Sequence, residues 1–516
     1  MKKFADHIIL PVSLLIYLGV WFLLQPVLGY ILDSDGIAYL TIAERIAGSQ
    51  YLESINGLWS PLNSWLLVPF IKHGYDAWYV SKLMNCFFGA CVLILAHCLF
   101  LKFRLSKFVH VLCMLALPVV MVHHVYLQMY GDVLQLVFML CYLLLLWSEN
   151  NILSYWKTIL CGILITVAFY AKAYSFFFFL VQFGVTLGWF YHTKKISLKT
   201  VISHYLTGCA VVVMLILPWT FALHKKYGIW SLTGFSGKLN MSWQINSGKS
   251  FKKDITLLIP PSYPDSPSFW EDPYLSQENL SGPFSSVSHV LKWTARIIHT
   301  TFSFIQCFNE ISFLALSVLL IAFYYFFFRK GQLSVEQDFH MQLLLLTALT
   351  LPAGYLLMHI ETRYIWLETF FIMIAGAILL QRNLQSLQPV VYRISVFILA
   401  FSFIVFPMLD MKALRFKNKD LFEFAGTMKA HSIKGSFTSN GSDAGRMWVV
   451  AYLTKNPFYT IERSDYTIAE LISEMKRYNV KYYLYQSENN KPDIRLDESH
   501  FSLLYKTDGF DLYEFR

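Results

Sequence analysis

The chain has 516 residues, 56% of them hydrophobic and only 15% charged, with a formal net charge of +9 and a mean hydropathy of +0.47. A soluble globular chain carries about a quarter charged residues, so a fully water-exposed protein is excluded. Nucleic acid is excluded as the source of the positive charge, because Lys and Arg gather in the short loops that topology assigns to the cytoplasmic side.

The apolar residues run in long blocks such as Val109–Val122, Val133–Trp147 and Val211–Leu217 with their flanks. A helix needs about 20 apolar residues to cross a bilayer core. Backbone groups in lipid must bond within their own segment, which predicts helices, and the blocks lack the alternation of a barrel strand. Met1-Lys2-Lys3 followed by Ile8–Leu28 resembles a signal peptide, but the apolar stretch is too long and no A-x-A site follows, so a retained first span is expected.

Hydropathy places spans near 8–29, 78–101, 108–127, 133–148, 157–172, 174–191, 201–222, 302–328, 341–359, 363–381 and 391–409, about eleven helices. The fifth and sixth meet at Lys172-Ala173 as a tight pair. With the N-terminus in the cytoplasm, the inside loops carry Lys102, Arg104 and Lys107, then Lys157, then Lys194, Lys195 and Lys199, then Arg329 and Lys330, then Arg382 and Arg393. The outer side then receives loops 30–77 and 223–301, the turns at 123–132 and 359–363, and the C-terminal segment. The seven lysines of 223–301 do not contradict this, because long translocated segments escape the charge rule. All eight cysteines lie in or beside apolar segments without zinc-ligand spacing and read as buried hydrophobes.

Beyond 410 the apolar runs stop. Asp420–Ala430, Asp443–Leu453 and Ile468–Tyr478 have helical spacing, whereas Phe458–Ile461 and Lys481–Tyr485 read as strands. Phe501–Lys506 and Phe510–Phe515 flank Thr507-Asp508-Gly509, a hairpin signal. The expected architecture is an all-α polytopic membrane domain over 1–410 and a small extracytoplasmic α/β domain over 411–516.

Chemistry is sought where ionisable groups meet the outer face. The first outer loop reads Leu32-Asp33-Ser34-Asp35-Gly36-Ile37-Ala38-Tyr39 and continues as an amphipathic helix to Gly48, suited to the membrane interface. Trp59–Pro69 is too short to span and is also expected there. Either aspartate can serve as a helix N-cap, but a cap needs only one of them. Asp132 opens the fourth span, Lys172 ends the fifth, and His359, Glu361 and Arg363 join the ninth to the tenth. Ionisable residues at membrane depth are costly and usually functional. Lys172 and Arg363 suit a phosphate; the plainer alternatives are a snorkelling lysine and a salt bridge of Arg363 to Glu361 or Glu368. His123-His124 are adjacent, so they leave a helix on different sides and read as packing rather than a metal site. Trp243, Phe269, Trp270 and Tyr274 in the long outer loop suit sugar stacking or lipid headgroups.

Taken in order, these motifs resemble the GT-C fold glycosyltransferases that use polyprenyl-phosphate sugars, in the protein mannosyltransferase and aminoarabinose transferase-like branch. The residues that carry the likeness are Asp35-Gly36-Ile37-Ala38-Tyr39, Ser60-Pro61-Leu62-Asn63-Ser64-Trp65-Leu66-Leu67, Asp132, Lys172 and Glu361-Thr362-Arg363-Tyr364. The resemblance covers roughly 1–410, with Ser60 in place of a proline and Gly36 in place of a glutamate, which counts against a two-carboxylate metal site. It implies an inverting transfer from a polyprenyl-phosphate sugar to a hydroxyl of a cell-envelope glycan or lipid-linked acceptor, such as lipopolysaccharide or O-antigen, at the outer face of the inner (plasma) membrane. Asp35 would be the general base, with Asp33 in reserve and Asp132 orienting the acceptor or the partner of Asp35. Lys172 and Arg363 would stabilise the leaving phosphate, and Tyr39, Glu361 and Tyr364 would complete the substrate site. No cofactor is required by this chemistry, and a divalent cation is left open. A glycan polymerase or ligase shares most of this reasoning. A secondary transporter would need midplane polar sites and often paired repeats, which the sequence does not display.

Overall fold

The computed structural model describes residues 2–127, 131–148, 154–194, 196–245, 257–276, 280, 282–328, 335–386, 388–440, 444–463, 465–486, 499–507 and 509–516. The chain opens with α1 (Lys2–Leu28) and then three shorter helices, α2 (Ser34–Ala47), α3 (Tyr51–Ser54) and α4 (Leu62–Lys72). Six more follow: α5 (Ala77–Lys102), α6 (Lys107–Leu127), α7 (Asp132–Leu146), α8 (Tyr155–Ala171), α9 (Tyr174–Lys194) and α10 (Leu198–Tyr227). Polar caps start several of them where the apolar run begins: Asp76 accepts from the Tyr79 amide, Ser154 from Lys157 and Ser197 from Thr200. Gly228, at φ +71, ends α10 in the left-handed conformation that costs glycine least.

The long loop, expected on the outer side, contains α11 (Ser236–Ile245) and the two-residue strand β1 (Leu258–Ile259). Its last part is helical rather than loop, because α12 runs over Val287–Ile311. The span expected over 302–328 is therefore two helices: α13 (Ala315–Phe327) departs from α12 at 99° after a break at Ser312. Then come α14 (Val335–Leu356), α15 (Glu368–Leu384) and α16 (Pro389–Ala413). The expected tenth span starts five residues late, since Thr362–Ile365 form a 3-10 turn outside it. Among the described residues, seven helices are long and apolar enough to cross a bilayer, eight if α12–α13 counts as one bent span. The chain is a multi-pass membrane protein. Helices stand at all eleven expected positions, but α7, α8 and α15, at 15, 17 and 17 residues, are shorter than a full crossing. Every residue of α15 from Glu368 to Leu379 is buried, which makes it the axis of the bundle.

The C-terminal region holds α17 (Lys419–Ala430), β2 (Phe437–Ser439), α18 (Ala444–Thr454), β3 (Thr460–Ile461), α19 (Ile468–Arg477), β4 (Tyr482–Gln486), β5 (Phe501–Lys506) and β6 (Phe510–Phe515). The sheet order is β2-β4-β6-β5, with β2 and β4 parallel and the rest antiparallel. The expected helices, the strands ending at Ile461 and Tyr485, and the 501–515 pairing are present; Asp443 and Asp508 lie outside the described residues. Several contacts tie this region to the membrane part, among them Tyr452 and Lys455 to Glu44 of α2. Asn418 donates to the carbonyl of Leu32 at 2.7 Å, just before α2. β3 pairs with β1 of the long loop, Leu258 opposite Ile461.

These ties change the setting of α2. The amphipathic helix expected at the interface is buried from Gly36 to Ala43, because α18 covers the side opposite the bundle. Leu32, Ile37, Leu40 and Ala43 share one core with Phe424, Met447 and Val450. A leucine buried as completely as Leu40 contributes about 2 kcal/mol. α4, expected at the membrane interface, leaves Trp65 and Phe70 exposed.

Candidate active site

Asp33 and Asp35 divide two jobs on the first turn of α2. Asp33 is the N-cap: extended at φ −125, it accepts the Gly36 amide at 2.9 Å. That commitment keeps it off the wall of the neighbouring cavity, so its expected place in the substrate site is not observed. Asp35 is left with its carboxylate turned to other elements. Its Oδ1 accepts the Trp270 indole N–H at 3.0 Å, and its Oδ2 lies 3.4 Å from Arg363 Nη2. Burial raises the Asp35 carboxyl above its usual range, and Glu361 adds to this against the opposing pull of Arg363 and the Trp270 N–H. Burial and then Asp35 push Asp33 up to about 7, against the Gly36 amide, Arg363 and Lys417.

Asp132 and Lys172 meet because two helix ends meet. Asp132 is the first residue of α7, and Lys172 closes α8 with an extended backbone. Gly131 lies so close to α8 that a Cβ there would stand 2.3 Å from the Ala171 carbonyl oxygen. Lys172 Nζ forms an ion pair with Asp132 Oδ1 and sits 3.9 Å above the Tyr364 ring. The break between α8 and α9 is held by Ser60, whose hydroxyl accepts the Ala173 amide at 3.1 Å.

The 3-10 turn supplies the remaining charges. Arg363 Nε is 2.7 Å from Glu361 Oε2. Glu361 Oε1 is 3.0 Å from His359 Nε2 and accepts the Tyr364 hydroxyl at 3.1 Å. Burial alone would raise Glu361, but His359, Arg363 and Lys172 reverse this and hold it down at about 2. Burial works against the Arg363 charge, yet Tyr364, Asp132, Glu361 and Asp35 keep it firmly cationic. Of the two expected salt-bridge partners only Glu361 is used. Glu368 is fully buried in α15, with neither carboxyl oxygen hydrogen-bonded.

A cavity of ≈ 850 Å³ opens among these groups, bordered by Asp35, Tyr39, Asp132, Lys172, Glu361, Arg363 and Tyr364. Trp243, Trp270 and Tyr274 from the long loop also line it, whereas Phe269 packs behind, against Trp270 and Trp448. Sequence reading missed Tyr174 and Tyr355, whose rings stack at 3.6 Å and continue to Tyr364 at 4.6 Å. Both stand at the ends of apolar helices, Tyr174 first in α9 and Tyr355 next to last in α14, where an aromatic residue reads as ordinary interfacial packing. On the far side of Glu361 and Arg363 is a second cavity of ≈ 440 Å³, reached by His123, Gln306, Glu310 and Asp410. The two histidines, expected on different sides of the helix, touch each other at 3.3 Å between their Nδ1 atoms; His123 Nε2 is also 2.7 Å from Asp410, and His124 stacks on Trp366 at 3.7 Å. Among the described residues, no three of His, Cys, Asp and Glu are grouped to hold a metal ion. The cavity carboxylates are matched to Trp270, Arg363 and Lys172, and this donor set does not fit a cation.

No protein-family model matches the chain, and no curated protein does. Solved structures do match. Crystal structures of the Archaeoglobus fulgidus oligosaccharyltransferase, one with Zn and sulfate and one tethered to an acceptor peptide with the NVT sequon, align over 98% and 99% of this chain. They are covered over 72% and 74% of their own length, at 11% and 12% identity and TM-scores of 0.55 and 0.56. The chain has the GT-C fold. ArnT from Cupriavidus metallidurans in the apo state aligns over 94% of this chain and 93% of its own, at 12% identity and a TM-score of 0.45. In this GT-C chain the charged cavity lies where α2, α7, α8 and the 3-10 turn converge with the long loop that carries α11.

Proposed function

We propose that the chain is an inverting membrane glycosyltransferase, moving a sugar from a polyprenyl-phosphate donor to a hydroxyl of a cell-envelope glycan or lipid-linked acceptor on the outer face. One observation carries this reading: a carboxylate, Asp35, and two cations, Arg363 and Lys172, border a single cavity. A departing phosphate needs positive charge, an attacking hydroxyl needs a base, and both must be held within reach of one anomeric carbon. The GT-C fold, shared with a protein named as an oligosaccharyltransferase, supports transferase chemistry at this place.

The acceptor hydroxyl donates to Asp35. As its oxygen attacks the anomeric carbon, the proton passes to the carboxylate. The bond from that carbon to the phosphate oxygen breaks, and its electron pair leaves with the phosphate. A single displacement of this kind inverts the anomeric configuration. Burial makes Asp35 a stronger base than an exposed aspartate. Arg363 presents a planar fork that matches a phosphate, and Lys172 adds a point charge. The ion pair with Lys172 favours a role for Asp132 in orienting that cation rather than the acceptor. Trp243 and Tyr274 offer flat faces to the sugar, and Tyr39 closes the wall beside Trp59 at 5.6 Å.

Full-length protein in lipid nanodiscs, given a polyprenyl-phosphate sugar and a lipid-linked acceptor, yields a glycoside of inverted configuration, read by NMR of the product. Retention would contradict a single displacement. Sugar moved across the membrane with no glycoside formed supports a secondary transporter instead.

A further inference from the structure

The contacts that hold Asp35 extend well past the cavity. Trp270 lies in the short 3-10 segment Phe269–Glu271, and its indole N–H is spent on the Asp35 carboxylate rather than on a backbone carbonyl. Two other indoles lie nearly parallel to it: Trp243 of α11, 5.0 Å between ring centroids and 10° between planes, and Trp448 of α18, 5.5 Å and 16°. Trp59 meets Trp270 edge-on at 5.9 Å and donates its indole N–H to the Trp270 carbonyl at 3.3 Å.

The segment itself is fastened on both carboxylates that follow the indole. Arg45 of α2 grips Glu271 and reaches Asp265 at 2.9 Å. Lys226 and Tyr227 of α10 hold Asp272 Oδ2 at 2.6 and 2.8 Å, and Tyr263 adds a third bond at 3.2 Å. An indole needed only to fill space requires none of this. Trp270 stays half-buried, faces the cavity, and has its N–H aimed by three elements distant in sequence.

We propose that Trp270 is a positioning residue for Asp35, holding its carboxylate in one orientation towards the cavity, and that Trp448 makes the C-terminal region part of the active site by bracing that indole. The proposal rests on the reading of Asp35 as the base. When a phosphate draws Arg363 towards itself, the Trp270 N–H is the contact that keeps Oδ1 from turning. The other charged and titratable groups around Asp35 are Asp33 and Tyr39 on its own helix, Glu361 and Tyr364 on the 3-10 turn, and Asp132 with Lys172 at the ends of α7 and α8. None of these donates to Oδ1 in a fixed plane as an indole does.

The test uses full-length protein in nanodiscs carrying ¹⁵N-indole tryptophan, the Trp270 signal being assigned by its loss in Trp270→Phe. The Trp270 N–H resonance is expected to move with pH as Asp35 ionises and to stop moving in Asp35→Asn. Trp270→Phe, which keeps a stacking ring but no donor, is expected to lower kcat about tenfold with KM for the donor little changed. Its pH profile shifts its acid limb upwards. Trp448→Ala lowers kcat in the same way, and Trp448→Phe restores most of it. A resonance indifferent to Asp35→Asn, or Trp270→Phe with wild-type kcat and pH profile, overturns the proposal. The resonance does not depend on turnover, so absence of transfer by the wild type would overturn the glycosyltransferase reading separately.

Discussion

Asp33 and Asp35 are two residues apart on one turn and have different environments. The D-G-x-x-Y pattern was legible because it is local, and so was the choice between cap and site. The partners that resolve the choice were not: Trp270 and Arg363 are 235 and 328 residues away from Asp35. The cap has its own pH signature. A carboxyl raised from an ordinary 3.8 to about 7 in the folded state binds its proton there while the unfolded chain has lost it. Folding stability therefore falls as pH rises from about 4 to about 7. Asp33→Asn still accepts the Gly36 amide but cannot ionise, so its thermal unfolding midpoint in detergent should fall less over that interval than the wild type's. An unchanged slope would remove Asp33 from the balance.

At the scale of elements, the apolar runs made the long helices plain, and hydropathy said little about how they end or bend. The break at Lys172-Ala173 was visible because the two runs abut. The α12–α13 bend at Ser312 was not, since Asn309 and Glu310 before it were absorbed into one averaged apolar run, and the helix over 287–301 was hidden in a loop of mixed composition. The junction of α7 with α8 offers a sharp test. In Gly131→Ala the new methyl would meet backbone, which cannot rotate away, so the two helix ends must separate. A loss of about 1–3 kcal/mol is expected from such overpacking, together with a drop in transfer, since Lys172 moves off Asp132. Wild-type stability and turnover in Gly131→Ala would show that this close approach is not needed.

For the whole molecule, composition and order of motifs indicated a membrane bundle with a small α/β addition, but not how the addition is used. Strands β3 to β6 were readable from their aromatic and β-branched content, whereas the three-residue β2 was not. The addition's burial of α2 was not readable, because an amphipathic helix shows the same pattern whether lipid or protein covers it. The long loop and the first loop meet at Arg45, itself 5% exposed, and Glu271, while the C-terminal region reaches the neighbouring Glu44 through Tyr452 and Lys455. Arg45→Met would leave Glu271 buried without its counter-charge, a loss of about 3–5 kcal/mol. Limited proteolysis should then cut within 257–276 far faster than in the wild type; equal resistance would mean that the loop is held by packing alone.

The most direct measurement is single-turnover transfer from a polyprenyl-phosphate sugar, wild type against Asp35→Asn, in nanodiscs at saturating donor. Asparagine keeps the size and can still accept the Trp270 N–H, but it cannot take the acceptor's proton. A fall of about 10²–10⁴-fold in rate, with donor binding retained, is the predicted result; transfer at the wild-type rate would contradict the assignment of Asp35 as the base.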